Sequence, residues 1–310
     1  MQTTLHQFQT QRPKGETNRD QRAKIAAESL DAIKAGFYAV GTTSYALAPS
    51  VQATVTGTLY EPPTSPAMAG WRSKPGQSSV AAETTFDVRQ TTTLEALRRL
   101  AKVPAARVGV LNFASAHKPG GGFLSGAQAQ EESLARSSTI YSSLMSQTGQ
   151  LFYSGDRKEP GYYSHAMLWT PAVTFFRDDA GHWLAPCSAC VVTSAAVNAG
   201  AVKSKLPDNA DRAEADARIR SAMHERMARI LCLFERQGSS HIVLGSFGTG
   251  VFKNNVETVA QLWAELLGPG SRYQHVFQHI EFAILDEITC SAFKDAFIHR
   301  CGELWLGLTA

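Results

Sequence analysis

An apolar run, Val108-Gly-Val-Leu-Asn-Phe-Ala114, leads into three consecutive glycines, Gly120, Gly121 and Gly122, and from Gln128 onward the residues become helix formers. Strand, glycine loop and helix in that order constrain the chain to an α/β fold with the loop at a strand end. Glycine lets backbone amides approach an anion closely, and the positive end of the following helix adds to the attraction. Gln130-Glu131-Glu132 opens that helix. An anion cradle beside adjacent carboxylates points to cleavage of a sugar linked to a diphosphate.

The same order recurs downstream. His241 to Ser246 is an apolar run, Gly245-Ser-Phe-Gly-Thr-Gly-Val-Phe252 is rich in glycine, and Glu257 to Leu267 reads as a helix. Elsewhere, Thr17 with Asp20 resembles a capping box, Ala26, Leu30 and Ile33 share one helical face, and Gly36 supplies a stop. Val51 to Tyr60 alternates as a strand would. Pro62, Pro63, Pro66, Gly70, Pro75 and Gly76 then predict a long surface loop. Thr85 to Thr91 reads as a strand, Thr92 with Glu95 as a capping box for a helix over Leu94 to Lys102, and the Val108 strand completes a βαβ unit. Ala189 to Val197 is a further strand, Asp211 to Gln237 a helix with Ile219, Met223, Met227, Ile230 and Leu231 at helical spacing, and Val276 to Leu285 a final strand. The segment from Tyr141 to Trp183 has many aromatics and no clear period. These elements predict an α/β protein of three layers around a mixed central sheet. Residues 1–16, polar and without periodicity, read as a flexible arm, and 17–310 as one domain that includes an N-terminal helical extension.

The bulk composition excludes more than it selects. With 310 residues, 44% hydrophobic and 18% charged at a formal charge of +3, the chain gives no case for general nucleic-acid binding. No run approaches the eighteen or so apolar residues that cross a bilayer, and the Gln-rich start lacks a signal-peptide core, so an intracellular protein is expected. Five cysteines fit reduced thiols. Cys187 and Cys190 lack a second Cys or His pair to complete a metal site and read as structural thiols at a strand start.

Gly120 to Gly122, followed after seven residues by Gln130-Glu131-Glu132, resembles the signature of poly(ADP-ribose) glycohydrolases. The flanking Asn112-Phe-Ala-Ser115 and Ser133-Leu-Ala-Arg-Ser-Ser138 look like the compact microbial form of that family. Gly245 to Phe252 resembles the second diphosphate loop of macrodomains, the fold to which these enzymes belong. Weaker likeness extends to Arg22–Leu30, Gly36–Tyr38 and Ala196–Gly200, so the resemblance covers roughly residues 18 to 285. Ser246 and the pair His117-Lys118 are minor departures from the pattern. The resemblance implies a macrodomain-like fold and hydrolysis of ribose–ribose O-glycosidic bonds, preferentially at chain ends, releasing ADP-ribose. Partners would be poly(ADP-ribose), ADP-ribose and poly-ADP-ribosylated proteins, with no direct nucleic-acid readout, no membrane, no cofactor and no metal. A non-catalytic ADP-ribose-binding macrodomain and a mono-ADP-ribosyl hydrolase are the alternatives.

Glycoside cleavage needs a proton for the leaving oxygen and a water delivered to the anomeric carbon, tasks that suit carboxyl groups. Adjacent helical residues diverge by about 100°, so Glu131 and Glu132 are expected to point apart and play different roles. By resemblance, Glu132 is the acid and then the base, Glu131 orients ribose hydroxyls, and Gln130 holds the loop or the ribose through its amide. The second loop, including Gly245, Ser246, Phe247, Gly248, Thr249, Gly250 and Val251, would wrap the diphosphate, with Phe252 facing the distal ribose. Asn112 and Ser115, at a strand end, are candidates for ribose contact, with loop capping as their alternative role; Asn198 is divided in the same way. His117 and Lys118 read as solvated. Tyr153, Tyr162, Tyr163, Phe175 and Phe176 read as core.

Overall fold

The computed structural model describes residues 17–72, 83–155, 159–207 and 209–302. The arm at 1–16, together with Pro75 and Gly76 of the expected loop, lies outside the described residues. The first helix, α1 (Asn18–Ala35), begins at a complete capping box of Thr17 and Asp20 and ends at Gly36 in the left-handed conformation, φ 84°. A hairpin of β1 (Phe37–Val40) and β2 (Thr43–Ala46) follows, then α2 (Ala48–Thr56) and the short β3 (Leu59–Glu61). The strand expected over Val51 to Tyr60 is therefore mostly helix. Pro49 sits in its first turn, and the buried Thr54 hydroxyl donates to Ala172 O at 3.2 Å, so packing against a distant strand overrides the β-branched pattern. Part of the expected surface loop is a 3-10 helix, Pro66–Arg72, anchored by buried Met68.

Next come β4 (Thr85–Gln90), α3 (Thr93–Leu100), β5 (Val108–Phe113), α4 (Gln130–Ser137), α5 (Ile140–Leu144) and α6 (Gln147–Ser154). They lead to the long antiparallel pair β6 (Met167–Arg177) and β7 (Trp183–Ser194), then α7 (Ala199–Lys203), α8 (Arg212–Arg236) and β8 (His241–Leu244). The chain closes with α9 (Val256–Leu267), β9 (His279–Ile284) and α10 (Glu287–Cys301), so the strand expected to be final is followed by a further helix. Thr92 and Glu95 form the capping box expected for α3. Cys187 and Cys190 lie within β7 rather than at its start. Both are free thiols, and burial pushes Cys190 up to about 12.

The main sheet has seven strands in the order β3-β6-β7-β5-β8-β9-β4. From β7 to β4 every neighbouring pair is parallel, while β6 runs antiparallel to both β7 and β3. The β4-α3-β5 crossover thus spans two intervening strands. A strand buried on both faces reads as a continuous apolar run, which is what Val108 to Phe113 is. Leu111 joins a core with Ile242, Phe282, Leu231 of α8, Trp263 of α9 and Phe293 of α10. Its neighbour Val110 points the other way, to Val191, Leu97 of α3, Leu134 of α4 and Ile140 of α5. The result is three layers, helix, sheet and helix, as the sequence pattern predicts.

Candidate active site

The glycine loop leaves the carboxyl end of β5 and folds back over the start of α4. Gly120 and Gly121 are both left-handed, at φ 68° and 59°, and a Cβ on Gly121 would sit 2.3 Å from Glu132 Oε1 and 3.3 Å from Glu131 Oε2. Both carboxyl groups therefore approach one glycine. This corrects the expected divergence: the Cα–Cβ bonds splay, but the side chains are long enough to be drawn back by separate donors. The Gly122 N–H donates to Glu132 Oε1 at 2.9 Å, and the Ser115 N–H donates to Glu131 Oε2 at 2.7 Å.

Glu131 is 3% exposed. Burial pushes its carboxyl up to about 8, against the lowering effect of the Ser115 N–H, and the Glu132 charge raises it further. Among the described residues Glu131 Oε1 has no hydrogen-bond partner of normal geometry, although the Asn112 amide and the Gly120 N–H lie near the carboxyl. Glu132 is less buried and faces the loop. Gln130 holds this arrangement to the sheet: its Oε1 accepts the Phe113 N–H at 2.9 Å and its Nε2 donates to Leu111 O at 2.8 Å. The amide thus continues the β5 hydrogen bonding where the strand ends. From outside, Arg19 and Arg22 of α1 donate to Ser125 O and Gly126 O, each at 2.8 Å, so the N-terminal helix clasps the loop.

The second loop follows β8. Its Gly248, at φ 78°, lies so close to Ala196 that a Cβ would fall 2.4 Å from the alanine Cβ. Asn254 pins the loop by donating to Val197 O at 2.7 Å and Gly248 O at 3.0 Å. The Thr249 hydroxyl donates to Ser246 O at 2.9 Å, Gly250 stands in open space and Val251 is exposed. Gly245 is packed instead against Ala283 O and receives the Trp263 indole N–H on its carbonyl.

Ser246 to Phe252 and Gln128 to Gln130 line one cleft of about 420 Å³ across the carboxyl ends of the parallel strands. Open α/β sheets bind ligands at such edges. The cleft also includes Thr91, Thr92 and Thr93 after β4, and Leu285, Asp286 and Thr289 after β9, none of which the sequence reading placed at the site. Their signal was positional, since each follows a parallel strand, but the pairing of Gln90 with Ile284 that brings the two groups together is visible only in the sheet register. Asp179 closes the wall by accepting from Thr92 Oγ1 at 2.6 Å and Ser133 Oγ at 2.9 Å.

Several of the expected contact residues also bond within the fold. Asn112 is fully buried, its Nδ2 donating to Thr193 Oγ1 at 3.3 Å, and its amide lies against the Glu131 carboxyl. Ser115 Oγ caps its own turn by accepting the His117 and Lys118 N–H groups. Phe247 is buried against Phe113, and Asn198 caps α7 through the Ala201 N–H. Phe175 and Phe176 are core. Tyr162 lies partly exposed under the Arg218 guanidinium. Tyr153 is close enough to Glu131 for the carboxylate charge, added to burial, to raise its phenol. Tyr163, at φ 56°, packs edge-on to His117 and against Phe252, joining the two loops.

A mixed sheet between two helical layers, with two glycine loops at its carboxyl edge linked through Tyr163, is a macrodomain-like arrangement. The family model for the microbial-type PARG catalytic domain matches residues 26–178. The poly(ADP-ribose) glycohydrolase of Thermomonospora curvata is 36% identical with a TM-score of 0.81, over 91% of this chain and all of that one. Its complex with the inhibitor ADP-HPD matches over the same shares at 35% identity and a TM-score of 0.79. The Deinococcus radiodurans enzyme in complex with ADP-ribose is 36% identical with a TM-score of 0.71, over 83% of this chain and 98% of that one. No curated protein matches the sequence significantly. The chain belongs to the microbial-type poly(ADP-ribose) glycohydrolase family.

Proposed function

We propose that this protein hydrolyses the ribose–ribose O-glycosidic bonds of poly(ADP-ribose) and releases ADP-ribose, with Glu132 as acid and base and Glu131 as the group that orients ribose hydroxyls. The observation that carries the reading is the approach of both carboxyls to Gly121 in the loop that follows β5. In the first step a Glu132 carboxyl proton passes to the departing ribose oxygen as the glycosidic bond breaks, leaving an oxocarbenium-like ribose. The resulting carboxylate then takes a proton from water as that water attacks the anomeric carbon, which restores the acid.

Glu131 suits its part because it is buried, fixed by the Ser115 N–H, and keeps one oxygen without a partner of normal geometry among the described residues. With Glu131 raised to about 8, its carboxyl keeps a proton at neutral pH, which reduces repulsion of an anionic diphosphate. The second loop, open at Gly250 and Val251, offers backbone amides to the phosphates, while Phe252 bounds the distal ribose. Preference for chain ends belongs to the same reading, because enclosure of the proximal ribose would make internal bonds react poorly. Poly-ADP-ribosylated proteins are the proposed macromolecular partners.

The test is ADP-ribose release from purified poly(ADP-ribose) by the parent and by Glu132→Gln, with ADP-ribose binding measured for both. Release by the parent alone, with binding retained by the variant, is expected. Binding without release by either would make the protein a reader of ADP-ribose.

A further inference from the structure

A second cavity, of about 490 Å³, lies between α7, α8 and α9, on the other side of the second loop from the cleft. Its floor is apolar, formed by Ile219, Met223, Val259 and Leu262, and its charged lining is Lys203, Arg220 and Lys253 with the single acid Asp216. Apolar floor and mainly cationic lining together fit a purine ring bearing a diphosphate. Two of the cations are partly neutralised, Lys203 by Asp216 at 2.7 Å and Arg220 by Glu265 at 2.6 Å. Lys253 makes no ion pair among the described residues, and its charge remains available.

The backbone places that charge deliberately. Phe252 lines the cleft and Lys253, the next residue, lines the second cavity. Lys253 sits at φ 59°, a conformation that is uncommon outside glycine and marks functional positions when the surroundings enforce it. Here the enforcement is visible: the Gly200 N–H donates to Phe252 O at 3.1 Å, and Asn254 is tied to Val197 O. Asn255 and Thr258, in the N-cap turn of α9, open into the same cavity and add the positive end of a twelve-residue helix.

We propose that this cavity is a second nucleotide subsite, which holds the adenosine diphosphate part of the polymer unit from which the terminal ADP-ribose is cut. The assignment rests on the glycohydrolase reading above. In that reading the leaving oxygen belongs to an adenosine ribose, so an adenine and a diphosphate depart from the Phe252 end of the cleft, one loop's thickness from the cationic lining.

The experiment compares the parent with Lys253→Asn, which removes the charge while tolerating the left-handed backbone, and with Lys203→Gln. It reads steady-state hydrolysis of long poly(ADP-ribose) and calorimetric binding of ADP. The parent is expected to bind ADP at two sites and each variant to lose the weaker one. KM for the polymer should rise roughly three- to tenfold with kcat unchanged, an effect that shrinks at high salt. Variants that bind ADP as the parent does would overturn the subsite. Loss of the second ADP site with an unchanged polymer KM would reassign it to free nucleotide. If the parent cuts no polymer, the activity reading and the polymer assignment fall together, while the ADP stoichiometry still decides whether the cavity binds a nucleotide.

Discussion

The backbone N–H of Ser115 donates to the buried carboxyl of Glu131 at 2.7 Å, joining the end of the central strand to the start of the helix that carries both acids. That bond favours the ionised form, yet burial and the neighbouring Glu132 outweigh it and hold the group up to about 8. A carboxyl raised on folding binds a proton that the unfolded chain has released. Its stabilising contribution is complete below the ordinary value of 4.5 and is lost as pH rises through about 8. Glu131→Gln should therefore gain on the parent between pH 5 and pH 8, by at most about 1.4 kcal/mol per pH unit, and level off above that. Urea midpoints across that range check it, and parallel curves for the two proteins would refute it.

The same proton should appear in the kinetics. Because ionised Glu131 would add a charge that repels the anionic diphosphate, kcat/KM for polymer hydrolysis should fall as pH rises through about 8. Glu131→Gln should remove or displace that alkaline limb, as a pH–rate profile of both proteins would show.

Gly121 has no room for a side chain. A methyl there would meet Glu132 Oε1 at 2.3 Å, on a left-handed backbone that alanine resists. Gly121→Ala should lower kcat by about a hundredfold or more by displacing the acid, an effect of the size seen when a catalytic proton donor is lost. ADP-ribose affinity, measured by calorimetry, should change much less.

Gln130 spends its amide on the protein itself. Replacing it by leucine strips a partner from the Phe113 N–H and from Leu111 O. The expected loss is about 1–3 kcal/mol of stability, read from denaturant unfolding. A drop in kcat should accompany it, because α4 is no longer tied to the strand end.

Asn254 offers a separable effect on the second loop. Its two bonds, to Val197 O and Gly248 O, hold the loop against the sheet edge. Asn254→Ala should weaken ADP-ribose binding roughly tenfold, as expected for loss of about 1–2 kcal/mol of loop positioning, while leaving the Glu131 pH dependence intact.

Both glycine loops and their flanking strands and helices were legible in the sequence because each is local. Apolar runs, left-handed glycines and caps such as Thr92 with Glu95 act within a few residues. Where a choice depended on a distant partner, the local pattern misled or fell silent. Val51 to Thr56 alternates like a strand but is helical, held by the Thr54 contact with Ala172. The stretch after Tyr141 showed no period because α5 and α6 are short, and β6 is broken by a register shift near the left-handed Ala172. The sequence by itself determined the three-layer α/β class, the order of the two loops and the identity of the acid-bearing turn. Only the tertiary structure decided that Glu131 and Glu132 approach one glycine, that Asn112 is core, and that Thr91 and Leu285 meet beside the second loop. Those outcomes depend on parallel strand register and on long-range backbone donors, and neither leaves a periodic trace along the chain.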